Sequence, residues 1–590
     1  MTSVLWKQAD QNEQYRIMNS LVKERIFPES TIVTEKDDEL DIQFHAHVLK
    51  VKLERVAAFK RYQLSGAITY AKGHQTQQID STEQLIDILT QHFDIPIDER
   101  LNQELISSRD GFVSVYRVME SRASTVKASL KYARLPLAIN FFSWLQHMAD
   151  ASQLDPLLYS ESLAVEGHPT HPLSKTKLPL TEEEAAAYSP EFEKTIPLKL
   201  MLIHKDYAGV TSPVEDTQMI LNQVIPDYRY KLRAFIEPLG LSVDDYYVIF
   251  VHPWQYEHVI LHDYIEWIDR QILLPTPFNI DSKATLSFRT MDLVGRPYHI
   301  KLPVNIQMTS AVRTVGPVTT VDGPRLSYQL QGLFQRFPHM QIAREPYGIY
   351  AHTEDDRARQ LACIVREKPT FTQNGIAVVA ASLVNRNPVD QQVIVDSYLE
   401  WLREDVTPQT IQRFITEYAR QLVKPLIAYI QHYGIALEAH MQNTVVNLGP
   451  HYEMTFLIRD LGGARLDLAA LHQALHNVDI TNTSLIAKDM EAVIQKFQHS
   501  VIQNQFGELI YHFTQYEGVE ESALYRIVAE QVQEAIDDDA PHAQILKDVL
   551  FGPTITVKAL MRMRMKQQVK QYETITLPNP LREEDDSWRN

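Results

Sequence analysis

Glycine is scarce in this chain, at 19 of 590 residues, where about 7% is usual. Folds that cradle phosphate in glycine-rich backbone are therefore poorly supported. Neither G-x-x-x-x-G-K-[ST] nor G-x-G-x-x-G occurs, and H-E-x-x-H and G-x-S-x-G are also missing. The length predicts about three domains. Apolar residues at 44% and charged residues at 22% fit a soluble globular protein. With 57 Lys+Arg against 75 Asp+Glu the net charge is −18, which argues against a nucleic-acid surface or an anionic membrane as partner. A single cysteine, Cys363, excludes an intrachain disulfide and multi-thiolate zinc sites. The first eight residues lack a basic region followed by an apolar run, and no apolar stretch reaches about 18–20 residues. The expectation is a cytoplasmic protein.

Three stretches emerge along the chain. Residues 1–154 predict an N-terminal unit with a strand over Ile42 to Leu53, a partner strand over Tyr62 to Tyr70, and a helix over Leu135 to Met148. Residues 155–355 are richer in strands, over Leu198 to His204, Tyr246 to His252, Leu286 to Thr290 and His299 to Met308. Residues 356–590 open on apolar strand-like runs and turn helical. They include a long helix over Gln409 to Tyr433 ended by Gly434, and a hairpin of Thr444 to Leu448 with Thr455 to Ile458 around Gly449-Pro450. Helices over Ala487 to Phe513 and Ser522 to Ile536 follow, then a charged tail, Arg582 to Asp586. The fold class expected is α+β.

Three constellations carry chemistry. Gly167-His168-Pro169-Thr170-His171-Pro172 with Lys175 and Lys177 places imidazoles and ammonium groups on a proline-stiffened loop. Such a loop suits a polyanion; the alternative is a solvated basic turn. Ser287-Phe288-Arg289-Thr290 and Thr309-Ser310-Ala311-Val312-Arg313 each set hydroxyls beside an arginine, with Lys301 between them. Guanidinium forks match carboxylate or phosphate; two ordinary exposed arginines are the alternative. Glu438, His440, Gln442 and Asn443, then Asp460-Leu461-Gly462-Gly463 across the hairpin, offer oxygens suited to Mg²⁺. The Asn and Asp resemble the metal-binding pair of kinases, with a polar-edged hairpin as the alternative.

In this order and separation, the pieces resemble the NRPS-independent siderophore synthetases, the aerobactin-synthetase family. His252-Pro253-Trp254-Gln255, Lys301-x-Pro303, Arg366-Glu367, Arg459-Asp460-x-x-Gly463 and Asn579-Pro580-Leu581 complete the resemblance over about 165–581. The resemblance implies a cupped hand: an N-terminal thumb (1–154), strand-rich fingers (155–355) and a helical palm (356–590) with a kinase-like hairpin. It implies adenylation of a carboxylate of citrate, 2-oxoglutarate or a citryl amide with ATP and Mg²⁺, followed by capture by an amine. By matching position, Ser287, Arg289, Thr290, Lys301, Glu438, His440, Gln442, Asn443 and Asp460 are expected at ATP. His168, His171, Lys175, Thr309, Ser310 and Arg313 are expected at the acid. Asn443, Asp460 and Glu438 are expected at the metal, and Arg289, Lys301, Arg313 and His440 in catalysis. Ser310 stands where many relatives have Asn. Thr176-Lys177-Leu178 and Asp460-Leu461-Gly462-Gly463 lean towards the group that uses free citrate. A homodimer is the oligomeric expectation. The rival readings are a kinase-like phosphotransferase and a non-catalytic citrate or siderophore carrier.

Overall fold

A computed structural model describes residues 2–582 except positions 37, 310, 477 and 568–572. Ser310 and the acidic tail 583–586 thus lie outside the described residues. The chain combines helices with six sheets among those residues, in agreement with an α+β class.

The N-terminal part is a five-stranded antiparallel meander over Ile32–Lys36, Glu39–Phe44, His47–Ala57, Arg61–Lys72 and Gln75–Gln78. Alternation buries Leu40, Ile42, Leu49, Val51 and Ile68 on one face. The run 42–53, expected as one strand, is two, reversed at His45 with φ +53°. The expected partner strand is present, with Leu49 opposite Tyr70 and Val56 opposite Tyr62. Helices Thr2–Lys23 and Glu99–Ala133 pack on each other beside this sheet. The next helix starts at Phe141, later than the expected Leu135. Pro136 disfavours helical backbone before it, and Asn140 supplies the cap by accepting from the Phe142 and Ser143 N–H groups.

The middle of the chain builds an eight-stranded antiparallel sheet. Its order is Ala208–Thr211, Tyr347–Ala351, Ala362–Glu367, Tyr298–Lys301, Thr290–Leu293, Leu273–Ala284, Ile196–His204 and Tyr246–Val251. Strand Ala362–Glu367 comes from beyond residue 355, yet it is interior to this sheet. The stretch His299 to Met308 is not one strand. It divides at Leu302-Pro303, where proline offers no ladder donor, and Val304–Met308 joins a separate three-stranded sheet with Ala311–Arg313 and Lys177–Leu178. The expected strand Leu286 to Thr290 is a tight loop with Phe288 at φ +66°; extended pairing begins at Thr290.

In the C-terminal part, Thr407 caps helix Pro408–Tyr433, and Gly434 at φ +63° ends it by donating its N–H to the Ile430 carbonyl. The hairpin forms as expected over Thr444–Leu448 and Met454–Ile458, within a four-stranded sheet that also holds Ile376–Val379 and Met340–Ile342. The expected helix 487–513 is interrupted by a wider turn of helix over Gln498–Phe506, between Met490–Phe497 and Gly507–Phe513. The eight-stranded sheet brings Lys301, at the end of an inner strand, against the open end of this hairpin.

Candidate active site

The hairpin's last pair is Thr444 with Ile458. One step further out, the Arg459 N–H donates to the Asn443 carbonyl at 2.9 Å, so Asn443 and Asp460 flank the same open end. Asp460 holds φ +69°, a conformation that Asp tolerates better than most residues. Lys301 Nζ donates to both of its carboxylate oxygens at 2.8 Å. Burial alone would raise the Asp460 pKa. Lys301, Arg366 and Arg289 outweigh that and hold the carboxyl far below the usual range. Burial lowers the Lys301 pKa, and Asp460 opposes it. The Asn443 amide donates to the Glu438 carbonyl at 3.3 Å.

On the sheet side, Arg289 donates to the Thr314 carbonyl. Arg313 Nη2 donates to Thr309 Oγ1 at 3.1 Å and to the Met308 carbonyl at 3.4 Å. Burial, then the neighbouring Arg313, brings the Arg289 pKa down to about 10. Burial lowers the Arg313 pKa as well, and two buried guanidinium groups side by side suit an anion. Ser287 Oγ accepts the Thr290 N–H at 3.2 Å, which folds the loop so that Arg289 points inward. Behind them, Arg366 is held by Glu345 at 2.7 Å.

On the hairpin side, Glu438 is paired with Lys496 and lies 4.0 Å from His440 Nε2. Burial lowers the His440 pKa although Glu438 opposes it. The Gln442 carbonyl accepts from Arg459 Nη2 at 2.8 Å, and Arg459 is clamped by buried Glu161 through Nη2 at 3.0 Å. Glu161 also accepts the Leu286 N–H at 2.9 Å. One carboxylate therefore ties the hairpin end to the Ser287–Thr290 loop.

A cavity of about 480 Å³ opens beside these groups. His168, Lys175, Ser287 and Thr309 line it, as do Arg313, His440 and Gln442. Arg289, Thr290, Lys301, Asn443 and Asp460 form the adjoining Lys301–Asp460 cluster. His171 does not line the cavity; its Nδ1 accepts the Leu173 N–H at 3.0 Å, and its Nε2 is buried without a hydrogen-bond partner among the described residues. Burial, then Arg16, lowers the His171 pKa to about 3. His168 is open to the cavity, and burial together with His171 holds it well below the usual imidazole range. Lys175 reaches Glu191 at 2.7 Å. Among the described residues no three His, Cys, Asp or Glu side chains gather as a metal site. Asp460 with Asn443 is the donor set that remains. It suits Mg²⁺, which keeps most of its waters and takes one or two protein oxygens.

Glu161, Glu345 and Lys496 escaped the sequence reading. Their partners lie 298 positions away for Glu161, 58 for Lys496 and 21 for Glu345, and no local motif marks them.

Residues 156–385 match the IucA / IucC family, and residues 412–573 match a profile described as ferric iron reductase FhuF-like transporter. Staphyloferrin A synthase of Staphylococcus aureus is 56% identical over 584 residues, covering 99% of this chain and 100% of that protein. The chain belongs to the IucA / IucC family of NRPS-independent siderophore synthetases. This synthetase is also 27% identical to D-ornithine–citrate ligase of Staphylococcus aureus, over 73% of the chain and 71% of that protein. Its fold is that of ATP-bound aerobactin synthetase IucA from a hypervirulent pathotype of Klebsiella pneumoniae, with a TM-score of 0.78 at 19% identity, covering 97% and 100% of the two chains. The petrobactin biosynthesis protein AsbB of Bacillus anthracis str. Sterne aligns with a TM-score of 0.79 at 20% identity, covering 98% and 95%. The protein is a ligase of siderophore biosynthesis. Among its described residues no helix is long and apolar enough to cross a membrane.

Proposed function

We propose that this synthetase uses Mg·ATP to adenylate one carboxylate of citrate and passes the acyl group to an amine, in making staphyloferrin A or a related citrate siderophore. The observation that carries the reading is Arg313: a cation with no carboxylate of the described residues within ion-pair reach, opening into the cavity beside Arg289 and the Lys301–Asp460 pair. The aerobactin synthetase that shares the fold has been solved in an ATP-bound form. Citrate appears in the names of several relatives, including D-ornithine–citrate ligase and L-2,3-diaminopropanoate–citrate ligase.

In this reading residues 1–154 are the thumb, 155–355 the fingers and 356–590 the palm of a cupped hand, with strand Ala362–Glu367 inserted within the fingers sheet. The hairpin end is kinase-like: Asp460 and Asn443 would hold the metal, and bound Mg²⁺ supplies positive charge that offsets the phosphates. Glu438, already paired with Lys496, orients His440 instead. Arg289, Lys301 and Arg313 offset the mutual repulsion of citrate and triphosphate, two anions that must meet. A carboxylate oxygen attacks the α-phosphorus and pyrophosphate leaves. The amine nitrogen then attacks the acyl carbon of the mixed anhydride, AMP leaves, and the amine loses one proton. His168, held neutral and open to the cavity, is placed to accept that proton. No serine or cysteine nucleophile is required.

The test is product analysis. Purified protein with Mg·ATP should release AMP and pyrophosphate in a citrate-dependent reaction, with 2-oxoglutarate the next acid to try. ADP and inorganic phosphate in their place would overturn the reading.

A further inference from the structure

A second imidazole lines the cavity, on a carboxylate mount. Glu508, Tyr511 and His512 share one face of helix Gly507–Phe513, three and four positions apart, and line the cavity. His512 Nε2 meets both carboxylate oxygens of Asp396, at 2.8 and 3.0 Å. Asp396 lies in helix Ile394–Trp401, is 2% exposed, and accepts the Tyr516 hydroxyl at 2.7 Å. The carboxylate is thus held from two sides and assigns the ring hydrogen to Nε2, which leaves Nδ1 as a lone pair. That nitrogen has no hydrogen-bond partner among the described residues. Charged groups near the cluster are Glu400 and Arg386, which act on Tyr516, and Glu508, Arg61 and Lys23 in the cavity wall.

We propose that His512 is the base that turns the acceptor from an ammonium into a free amine, with Asp396 as its positioning residue. The inference rests on the reading of adenylation followed by capture, and adds a proton step which that reading leaves open. An alkyl amine titrates at about pH 10. It therefore enters as an ammonium, which has no lone pair with which to attack an acyl carbon. One N–H bond breaks, its electron pair stays on the nitrogen, and the proton passes to His512 Nδ1. The imidazolium forms against Asp396, whose carboxylate balances the new charge. The free amine then attacks the acyl-adenylate. The proton that it loses once the C–N bond has formed is the one assigned to His168. His512 returns its own proton to solvent through the cavity. The wall favours the first transfer. Burial brings the Lys23 ammonium in it down to about 8, although Glu24 and Glu508 oppose the shift, and a substrate ammonium in the same cavity as Lys23 and Arg61 is weakened in the same sense.

The experiment separates the two protons by the choice of nucleophile. D-Ornithine, its citrate amide, 2,3-diaminopropanoate and 1,4-diaminobutane are offered with citrate and Mg·ATP, and the best of them is carried into the variants. Hydroxylamine is uncharged near neutrality, so it captures the acyl-adenylate as acyl-hydroxamate without the first base. His512→Gln keeps a donor for Asp396 and cannot take up a proton. At about pH 7 it should cut kcat/KM for the alkyl amine about 100-fold or more, the usual share of a general base, and hydroxamate formation by far less. The defect should then close by about tenfold per pH unit up to about pH 9, because the variant depends on free amine and wild type does not. Asp396→Asn should show the same selective loss and the same recovery at high pH. No hydroxamate from wild type would fault the adenylation reading, and no amide with any of the amines would fault the capture step; either result takes this inference with it. With both steps intact, an unchanged rate for the alkyl amine in His512→Gln, an equal loss of amide and hydroxamate, or a loss that does not close as the pH rises would overturn this inference alone. His512 would then be a clamp between two helices.

Discussion

Lys301 and Asp460, 159 residues apart, face each other with the ammonium 2.8 Å from both carboxylate oxygens. One comes from an inner strand of the eight-stranded sheet and the other from the end of the hairpin. The pair closes the seam between the two halves of the site. It also keeps each charge from being stranded, because the Lys301 side chain is only 5% exposed and that of Asp460 28%.

Asp460→Asn therefore does more than weaken a metal site. It leaves Lys301 buried beside Arg289 and Arg366, with only the more distant Glu345, already paired with Arg366, to oppose them, and loss of a charged hydrogen bond of this type costs about 1.5–3 kcal/mol. Urea unfolding should show that loss, and citrate-dependent AMP formation should fall steeply. Excess Mg²⁺ or Mn²⁺ should recover part of the rate. Adding Lys301→Met removes the stranded charge, so the double variant should regain stability and stay inactive. A double variant less stable than Asp460→Asn would show that the pair is not coupled in this way.

Arg313 invites a narrower test. Its guanidinium is oriented by Thr309 Oγ1 at 3.1 Å. Arg313→Ala should raise the KM for citrate about 10–100-fold, as expected for a lost charge-assisted contact, and change the KM for ATP less. Thr309→Val removes the orienting oxygen and should shift the same constant in the same direction by a smaller factor. Equal effects on both substrates would remove Arg313 from the acid.

Local signals in the sequence reached the structure; pairings over long distances did not. The stop at Gly434 and the hairpin around Gly449-Pro450 were legible because cap and turn chemistry sits within a few residues. The division of His299 to Met308 had its cause in view, since Pro303 cannot donate to a ladder, yet the apolar alternation on both sides hid it. The motif residues at Ser287, Arg289, Lys301, Arg313, Asn443 and Asp460 could be named by resemblance. The direct pairing of Lys301 with Asp460 could not, because nothing near residue 301 encodes the approach of residue 460. The same holds for Glu161 on Arg459 and Lys496 on Glu438. His171 illustrates the converse: it belongs to the motif, but its ring is turned into the core by the Leu173 N–H.

Acid should destabilise the fold through its buried imidazoles. His252 is fully buried, accepts the Trp254 N–H at 3.2 Å through Nδ1, and has no hydrogen-bond partner at Nε2 among the described residues. Burial brings its pKa down to about 3. The unfolded chain takes up a proton near pH 6.5, and the folded chain does not. Stability is therefore full above about pH 6.5 and falls as the pH drops towards the folded value, by about 1.4 kcal/mol per pH unit for each such histidine. His171 and His499, both also lowered to about 3, add to the same slope. His252→Asn keeps an acceptor for Trp254 and cannot titrate. Its urea midpoint should fall less between pH 6.5 and 4.5 than that of wild type, by about one proton's worth of slope. An unchanged slope would mean that His252 protonates in the folded protein.

Glu161 joins three elements that have to keep register for adenylation. It lies in helix Pro156–Glu161 and is only 1% exposed. Its carboxylate clamps Arg459 and accepts the Leu286 N–H, and Arg459 in turn holds the Gln442 carbonyl. Glu161→Gln keeps the shape and an oxygen for Leu286, but leaves the Arg459 guanidinium buried without a counter-charge. Breaking a buried pair from one side costs about 3–5 kcal/mol. Chemical denaturation should register a loss of that order. In protein that remains folded, the Ser287–Thr290 loop and Gln442 would no longer be held to one another. The expected kinetic signature is a fall in kcat for citrate-dependent AMP formation with both KM values less affected, since Glu161 positions binding groups and does not itself line the 480 Å³ cavity. Arg459→Met in the Glu161→Gln background removes the stranded charge. It should recover stability without recovering kcat, because the link from the hairpin to Gln442 is then gone. Recovery of both would assign Glu161 to stability alone.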